Sequence, residues 1–302
     1  MNPNEEPKKK KKYTLERPSL LRRVFAAMMD FILVVAVFIG LEVLLYNTFF
    51  EAVGYQNTMS EIHQMYDDSH LFVFKEESGY WSLKETYDDK KTPEENYDAA
   101  LIYYYTNDPR AVEENLLETY TQTKLNSSYF ELKDGEIVRT ETATDASVKA
   151  FFEKEYDKAI DFFESDKEYV SKMKYTFYIM LFTLIFSIVV TTAVFYLAIP
   201  LMRKDGETLF QMMNRMGLAD SRTDSRIKKS QIVVRYFVFL TFNFLIPIFL
   251  YFFWGYFSLI TIFVTLTMVC VTPSNSGIHE YISHTYVVTK RNGPIPEKPR
   301  ID

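Results

Sequence analysis

In 302 residues this chain has one cysteine, four histidines and nine glycines, and each shortage closes off a class of chemistry. The lone thiol, Cys270, has no second cysteine to bridge, so any part of the chain outside the cytosol must hold together by packing alone. Of the histidines, His63 and His70 stand with Asp67 at spacings that fit one helix face. With no neighbouring cysteine or further histidine they read as a solvated face, and no metal or other cofactor is expected. No glycine-rich phosphate loop follows a strand and no Ser/His/Asp set stands out, so the chain is not expected to be an enzyme. Positive charge is in deficit too: 34 Lys and Arg against 40 Asp and Glu leave a net charge of −6, which argues against a nucleic-acid partner.

What the chain has is long apolar runs. Val24 to Tyr46 is 23 residues, about 35 Å as a helix, enough to cross a bilayer with some tilt. Tyr175 to Met202 carries no charge over 28 residues. Ile232 to Thr272 is 41 residues, too long for one crossing and right for two around Trp254-Gly255-Tyr256, with Pro247 positioned to kink the third helix. The predicted fold is therefore an α-helical integral membrane protein with four transmembrane helices.

Charge asymmetry orients it. Residues 47–174 hold 28 Asp and Glu against 14 Lys and Arg, a net of −14, whereas the remainder carries +8. Basic flanks before the first run, in Leu201–Ser230 and after Val271 face the cytosol by the positive-inside rule, which puts both termini inside and residues 47–174 outside. The predicted organisation is a basic cytosolic tail (1–21) whose Lys8–Lys12 run fixes orientation or binds anionic lipid, a first transmembrane helix (22–46) and an extracytoplasmic domain (47–174). A second helix (175–201), a cytosolic loop (202–230), a third and fourth helix (231–272) and a cytosolic tail (273–302) follow.

The outer segment carries 22 aromatic residues, too many for a disordered linker, and reads as a mostly helical α+β domain. Leu71–Phe74 and Tyr80–Leu83 flank Ser78-Gly79, and Tyr129–Leu132 and Ile137-Val138 flank Asp134-Gly135, so both predict hairpins. Thr92-Pro93-Glu94-Glu95 and Asp108-Pro109 predict helix starts. With no Gly or Pro before Pro200, the helix beginning near Ser147 is expected to run unbroken into the second membrane helix. In the cytosolic loop Leu209, Met212, Met213 and Met216 fall at helical spacing and predict a short amphipathic helix.

Asp30 lies inside the first apolar run, about 9 Å from its Arg-flanked end, where an unsatisfied carboxylate costs roughly 2.5–3.5 kcal/mol. Arg23 is two turns back on the same face and leans outward, so Asp30 needs a partner from another helix. Arg235, about one turn into the third helix, is at similar cytosolic depth, and a buried Asp30–Arg235 pair is one expectation. The alternatives are a transport or proton-relay role for Asp30, and no contact at all, with Arg235 reaching lipid phosphate and Asp30 protonated or merely structural. His279 and Glu280 follow the fourth helix near the level of Arg22 and Arg23 and are expected to complete a charged ring or lock helix ends.

Four stretches in order resemble the RDD family of bacterial membrane proteins. Arg23, Ala26 and Asp30 match its R-x-x-A-x-x-x-D opening, and Gly206-Glu207-Thr208-Leu209 with Gly217-Leu218 is similar to its G-x-T-x-G-K-x-x-x-G-L loop. Arg235 resembles the Arg of its next helix, and Ile278-His279-Glu280 with Thr285, Val287 and Val288 resembles its closing H-D-x-x-A-x-T-x-V. Phe210-Gln211 replaces Gly-Lys, Glu280 replaces an Asp and keeps its charge, and His284 replaces a small residue. The resemblance implies a multi-pass protein of the bacterial cell membrane, with the bilayer and a small solute or ion as partners. The candidate site is Arg23, Asp30, Arg235, His279 and Glu280, and so few helices imply a homo-oligomer if they enclose a pathway. The competing expectation is a non-transporting envelope or sensor protein whose outer domain binds a partner or ligand.

Overall fold

The computed structural model describes residues 15–254, 277–290 and 293–297, and the chain divides into two compact units, Asn47–Leu181 and the remainder. The expected fourth helix, Cys270 and the Lys8–Lys12 run lie outside the described residues. Helix α1 is Leu20–Ala52, unbroken through Gly40.

Within Asn47–Leu181 the chain forms α2 (Tyr55–Ser69), a hairpin of β1 (Phe72–Lys75) and β2 (Gly79–Ser82), α3 (Pro93–Asn107), α4 (Pro109–Glu113) and α5 (Leu116–Asn126). A second hairpin, β3 (Phe130–Lys133) and β4 (Glu136–Arg139), precedes α6 (Asp145–Glu164). In the second hairpin Asp134 (φ 52°) and Gly135 (φ 88°) take the left-handed geometry a two-residue turn demands, and the pairing Lys133 to Glu136 follows. Thr92 and Glu95 close a reciprocal cap on α3, and the Asp108 carboxylate accepts from the amides of Arg110 and Ala111 to start α4.

The core of this unit is aromatic. Tyr97, Leu101 and Tyr104 of α3 pack on Phe152, Tyr156 and Phe163 of α6. The Tyr156 hydroxyl donates to the Leu71 carbonyl at 2.7 Å and accepts from the Leu83 amide at 3.0 Å, so one side chain of α6 holds both ends of the first hairpin. His63 lies against Tyr80 and His70 stacks on Tyr103 at 3.7 Å, which places the two histidines against aromatic rings. Among the described residues no group of His, Cys, Asp and Glu is arranged to hold a metal. One expectation fails here. The helix does not run through to Pro200, because α6 ends at Glu164 and the Asp166 carboxylate caps a new helix, accepting from the amides of Glu168 and Tyr169 at 2.7 and 2.9 Å. An N-cap side chain stops and restarts a helix without glycine or proline.

The new helix, α7 (Lys167–Met202), together with α1 and α9 (Lys229–Tyr251), makes three helices long and apolar enough to cross a membrane among the described residues. Two of them carry an interior proline, and each solves the problem alike. Proline removes one amide and clashes with the carbonyl four residues back. A widened π-helical turn, Val194–Ala198 before Pro200 and Thr241–Leu245 before Pro247, shifts the preceding bond to i−5, and the helix continues. Phe25, Ile32 and Ile39 of α1 and Phe249 of α9 point outward. Inward, α7 buries Thr183, Ser187 and Thr191 at every fourth position, small polar side chains that let helices approach closely. Tyr236 of α9 donates to the Val189 carbonyl of α7 at 3.2 Å.

Between α7 and α9 lies α8 (Leu209–Met213), followed by β5 (Met216–Asp220) and β6 (Ser225–Arg226); α10 (Ile278–Ile282) and β7 (Thr285–Thr289) come after α9. The strands form an antiparallel sheet, β6-β5-β7, with Leu218 opposite Val287. Its two faces follow the period of two: Met216, Leu218 and Val287 pack with Ala26, Ile227 and Ile232, while Ala219, Tyr286 and Val288 pack with Ile295. This sheet corrects the all-helical reading of the membrane unit. The amphipathic pattern from Leu209 to Met216 supports a helix only to Met213, because Arg215 turns left-handed (φ 50°) and Met216 pairs with Thr289 instead.

Candidate functional site

The site grows from the N-terminal ends of α1 and α9. Gly277 starts α10 in extended backbone, and Glu280, three residues on, turns back so that its Oε2 accepts from the Gly277 amide at 3.3 Å. That fold-back holds the carboxylate, only 3% exposed, between two helices. Arg23 of α1 donates to Glu280 Oε2 at 2.9 Å, and Arg235 of α9 donates to Oε1 at 3.3 Å. Arg235 also donates to the Thr285 hydroxyl at 3.1 Å, and Thr285 meets Ser283 at 2.8 Å. Burial raises the Glu280 pKa, but the charges of Arg235 and Arg23, with the Gly277 amide, outweigh it and hold the carboxyl below its ordinary range.

His279 is beside it. Burial, and then the positive charge of Arg235, lower its pKa from 6.5 to about 4, which leaves the ring neutral at physiological pH. Its ring stands edge-on to Phe239, and its buried Nδ1 has no hydrogen-bond partner among the described residues. A cavity of about 150 Å³ adjoins the cluster, lined by Arg23, Arg235, His279 and Gln211 together with the apolar Val24, Ala27 and Met216.

Of the five residues singled out in the sequence, four come together and Asp30 does not. Asp30 is 2% exposed, and it is satisfied without any cation. Its Oδ2 accepts from the Thr208 hydroxyl at 2.5 Å and its Oδ1 from the Phe210 amide at 3.1 Å. The expected Asp30–Arg235 pair is therefore replaced by two separate arrangements. A hydroxyl and a backbone N–H at the start of α8 satisfy the acid's oxygens, and Glu280 takes the arginine. The loop that brings Thr208 there turns at Gly206 (φ 61°), where a Cβ would come within 2.4 Å of Ile227. Gln211 accepts from the Thr208 amide at 3.2 Å, which fixes the turn, and Arg22 donates to the Asn214 carbonyl, which ties the loop to α1 at one further point.

A second charged group escaped sequence reasoning. Lys290 donates to Asp205 at 3.2 Å and to Glu207 at 3.0 Å, and Arg226 bridges Asp205 and Glu297. The four elements concerned lie far apart in the chain, and no local spacing signals the network. Comparison of the chain with protein-family models, with curated proteins and with solved structures finds no match in any of the three.

Proposed function

We propose that this is a multi-pass membrane protein of the RDD type, with four crossings, both termini in the cytosol and residues 47–174 on the far side, and that it moves a small solute or ion by way of the Arg23–Glu280–Arg235 cluster. The observation that carries the reading is the cavity of about 150 Å³ against two guanidinium groups, a buried carboxylate and an unpartnered histidine nitrogen, where the ends of two long apolar helices meet. Charge placed inside a membrane unit is costly, and beside a cavity it marks a solute path by default. Asp30 has no carrier role in this reading, because its oxygens are occupied by Thr208 and Phe210.

The test is flux into liposomes containing only this protein, followed for protons, chloride and short carboxylates, with wild type and Arg235→Gln in parallel. Uptake that Arg235→Gln abolishes supports the proposal; uptake equal to that of empty liposomes for all three refutes it. A specific observation favours a second reading. Asn47–Leu181 is a compact unit with its own aromatic core, as a binding domain of an envelope or sensor protein would be. Full flux after excision of residues 55–166 would reject that domain as essential to the activity.

A further inference from the structure

The cavity beside Arg23 and Arg235 has a polarity that selects its occupant. Both oxygens of Glu280 are engaged, Oε1 by Arg235 and Oε2 by Arg23 and the Gly277 amide, so the acid is not an open ligand for a cation. The donors are in surplus. Each guanidinium has five N–H groups. Among the described residues Arg23 makes one hydrogen bond through its guanidinium and Arg235 makes two. The formal charge of the two arginines and Glu280 is +1. His279 Nδ1, buried and unpartnered, adds a further polar atom at the same end. The rest of the lining is mainly apolar, with Val24, Ala27 and Met216 in it beside Gln211. At about 150 Å³ the cavity has the liquid share of about five waters.

We infer that this cavity binds a small monocarboxylate, its carboxylate on the free N–H groups of Arg23 and Arg235 and its short alkyl chain against Val24, Ala27 and Met216. Guanidinium forks match a carboxylate in the plane, and a charge-assisted bond of this kind is roughly twice as strong as a neutral one. Gln211 is the one further side chain of the lining with an amide to donate, fewer donors than the remaining oxygens of a phosphate call for. The inference rests on the reading that the cluster handles a solute, but it is tested by binding rather than by flux.

The full chain is purified in detergent and titrated with sodium butyrate, sodium phosphate and butylammonium chloride, binding being followed by calorimetry and by the shift in Tm. Butyrate is expected to bind and raise Tm, with butylammonium, the same chain of opposite charge, inert. Arg235→Gln is expected to weaken butyrate binding by about tenfold or more, as for one lost charge-assisted bond. Because that variant leaves Glu280 short of a partner, Ala27→Phe serves as the second: it fills the apolar wall, keeps every charge and is expected to abolish binding. Butyrate without effect on the wild type, phosphate or butylammonium bound as tightly as butyrate, or binding unchanged in Ala27→Phe would each overturn the inference. Binding as expected in protein that gives no flux in liposomes would sustain the carboxylate site and sink transport alone.

Discussion

Replacing Asp30 by alanine removes the acceptor of two buried hydrogen bonds, from the Thr208 hydroxyl at 2.5 Å and from the Phe210 amide at 3.1 Å. Bonds to a charged group contribute about 1.5–3 kcal/mol each, so the loss is expected to be about 3–5 kcal/mol, less than the full sum because the two donors relax together. Asp30→Asn keeps one carbonyl oxygen for the Phe210 amide and presents an NH₂ to a hydroxyl that can also accept, and it is expected to cost only about 1–2 kcal/mol. Partner choice is read from double-mutant cycles, by reversible unfolding in detergent. Asp30→Ala with Thr208→Val should show a coupling of about 1–2 kcal/mol, because the second change removes a bond the first has already broken. Asp30→Ala with Arg235→Gln should be additive within about 0.5 kcal/mol, since the two residues share no hydrogen-bond partner. A coupling above about 1 kcal/mol in the second cycle, or none in the first, refutes the assignment.

Three further outcomes follow from the geometry. Glu280→Gln leaves Arg23 and Arg235 without their shared counter-charge and should destabilise the protein by about 3–5 kcal/mol, seen as a lowered Tm in detergent; an unchanged Tm would show that the cluster is solvated. His279 has its pKa depressed from 6.5 to about 4 in the folded chain, so the unfolded state takes up a proton that the folded state refuses between those values. Its contribution is complete above pH 6.5 and falls as pH drops toward 4, by up to about 3 kcal/mol, and His279→Phe should flatten the profile over that window, an identical slope in both proteins refuting it. A fragment of residues 54–171 should unfold cooperatively by near-UV circular dichroism, and Tyr156→Phe within it should lose about 1–3 kcal/mol by releasing the Leu71 carbonyl and Leu83 amide; absence of a transition in the wild-type fragment defeats the idea of an independent core.

Where a signal is local, the sequence was enough. The Asp134-Gly135 turn and the Thr92–Glu95 cap need only neighbouring residues, and the long apolar runs at α1, α7 and α9 need only length. The sheet of the membrane unit was not legible, for the opposite reason. Met216–Asp220 reads as the end of an amphipathic helix until Thr285–Thr289 arrives from beyond α9 to pair with it, and no window of either strand contains that fact. The same limit applies to the break at Ser165-Asp166, where one carboxylate outweighed the absence of glycine and proline.

The error over Asp30 has a more instructive cause. Searching for its partner by formal charge finds Arg235, because a buried acid seems to require a cation. A carboxylate is equally well met by dipoles, and the first turn of a helix supplies free backbone N–H groups and an N-cap hydroxyl together. Thr208 with Gln211 three residues later was a visible helix start, so the donors could have been found by asking which helix begins at the depth of Asp30. Once Asp30 is met in this way, Arg235 is released to Glu280, and the surplus of guanidinium donors at the cavity follows from the same step. The two arrangements are thus linked. An acid satisfied by neutral groups two turns further along α1 leaves the Arg23–Glu280–Arg235 cluster with a net positive charge, which is the condition for an anion to bind there.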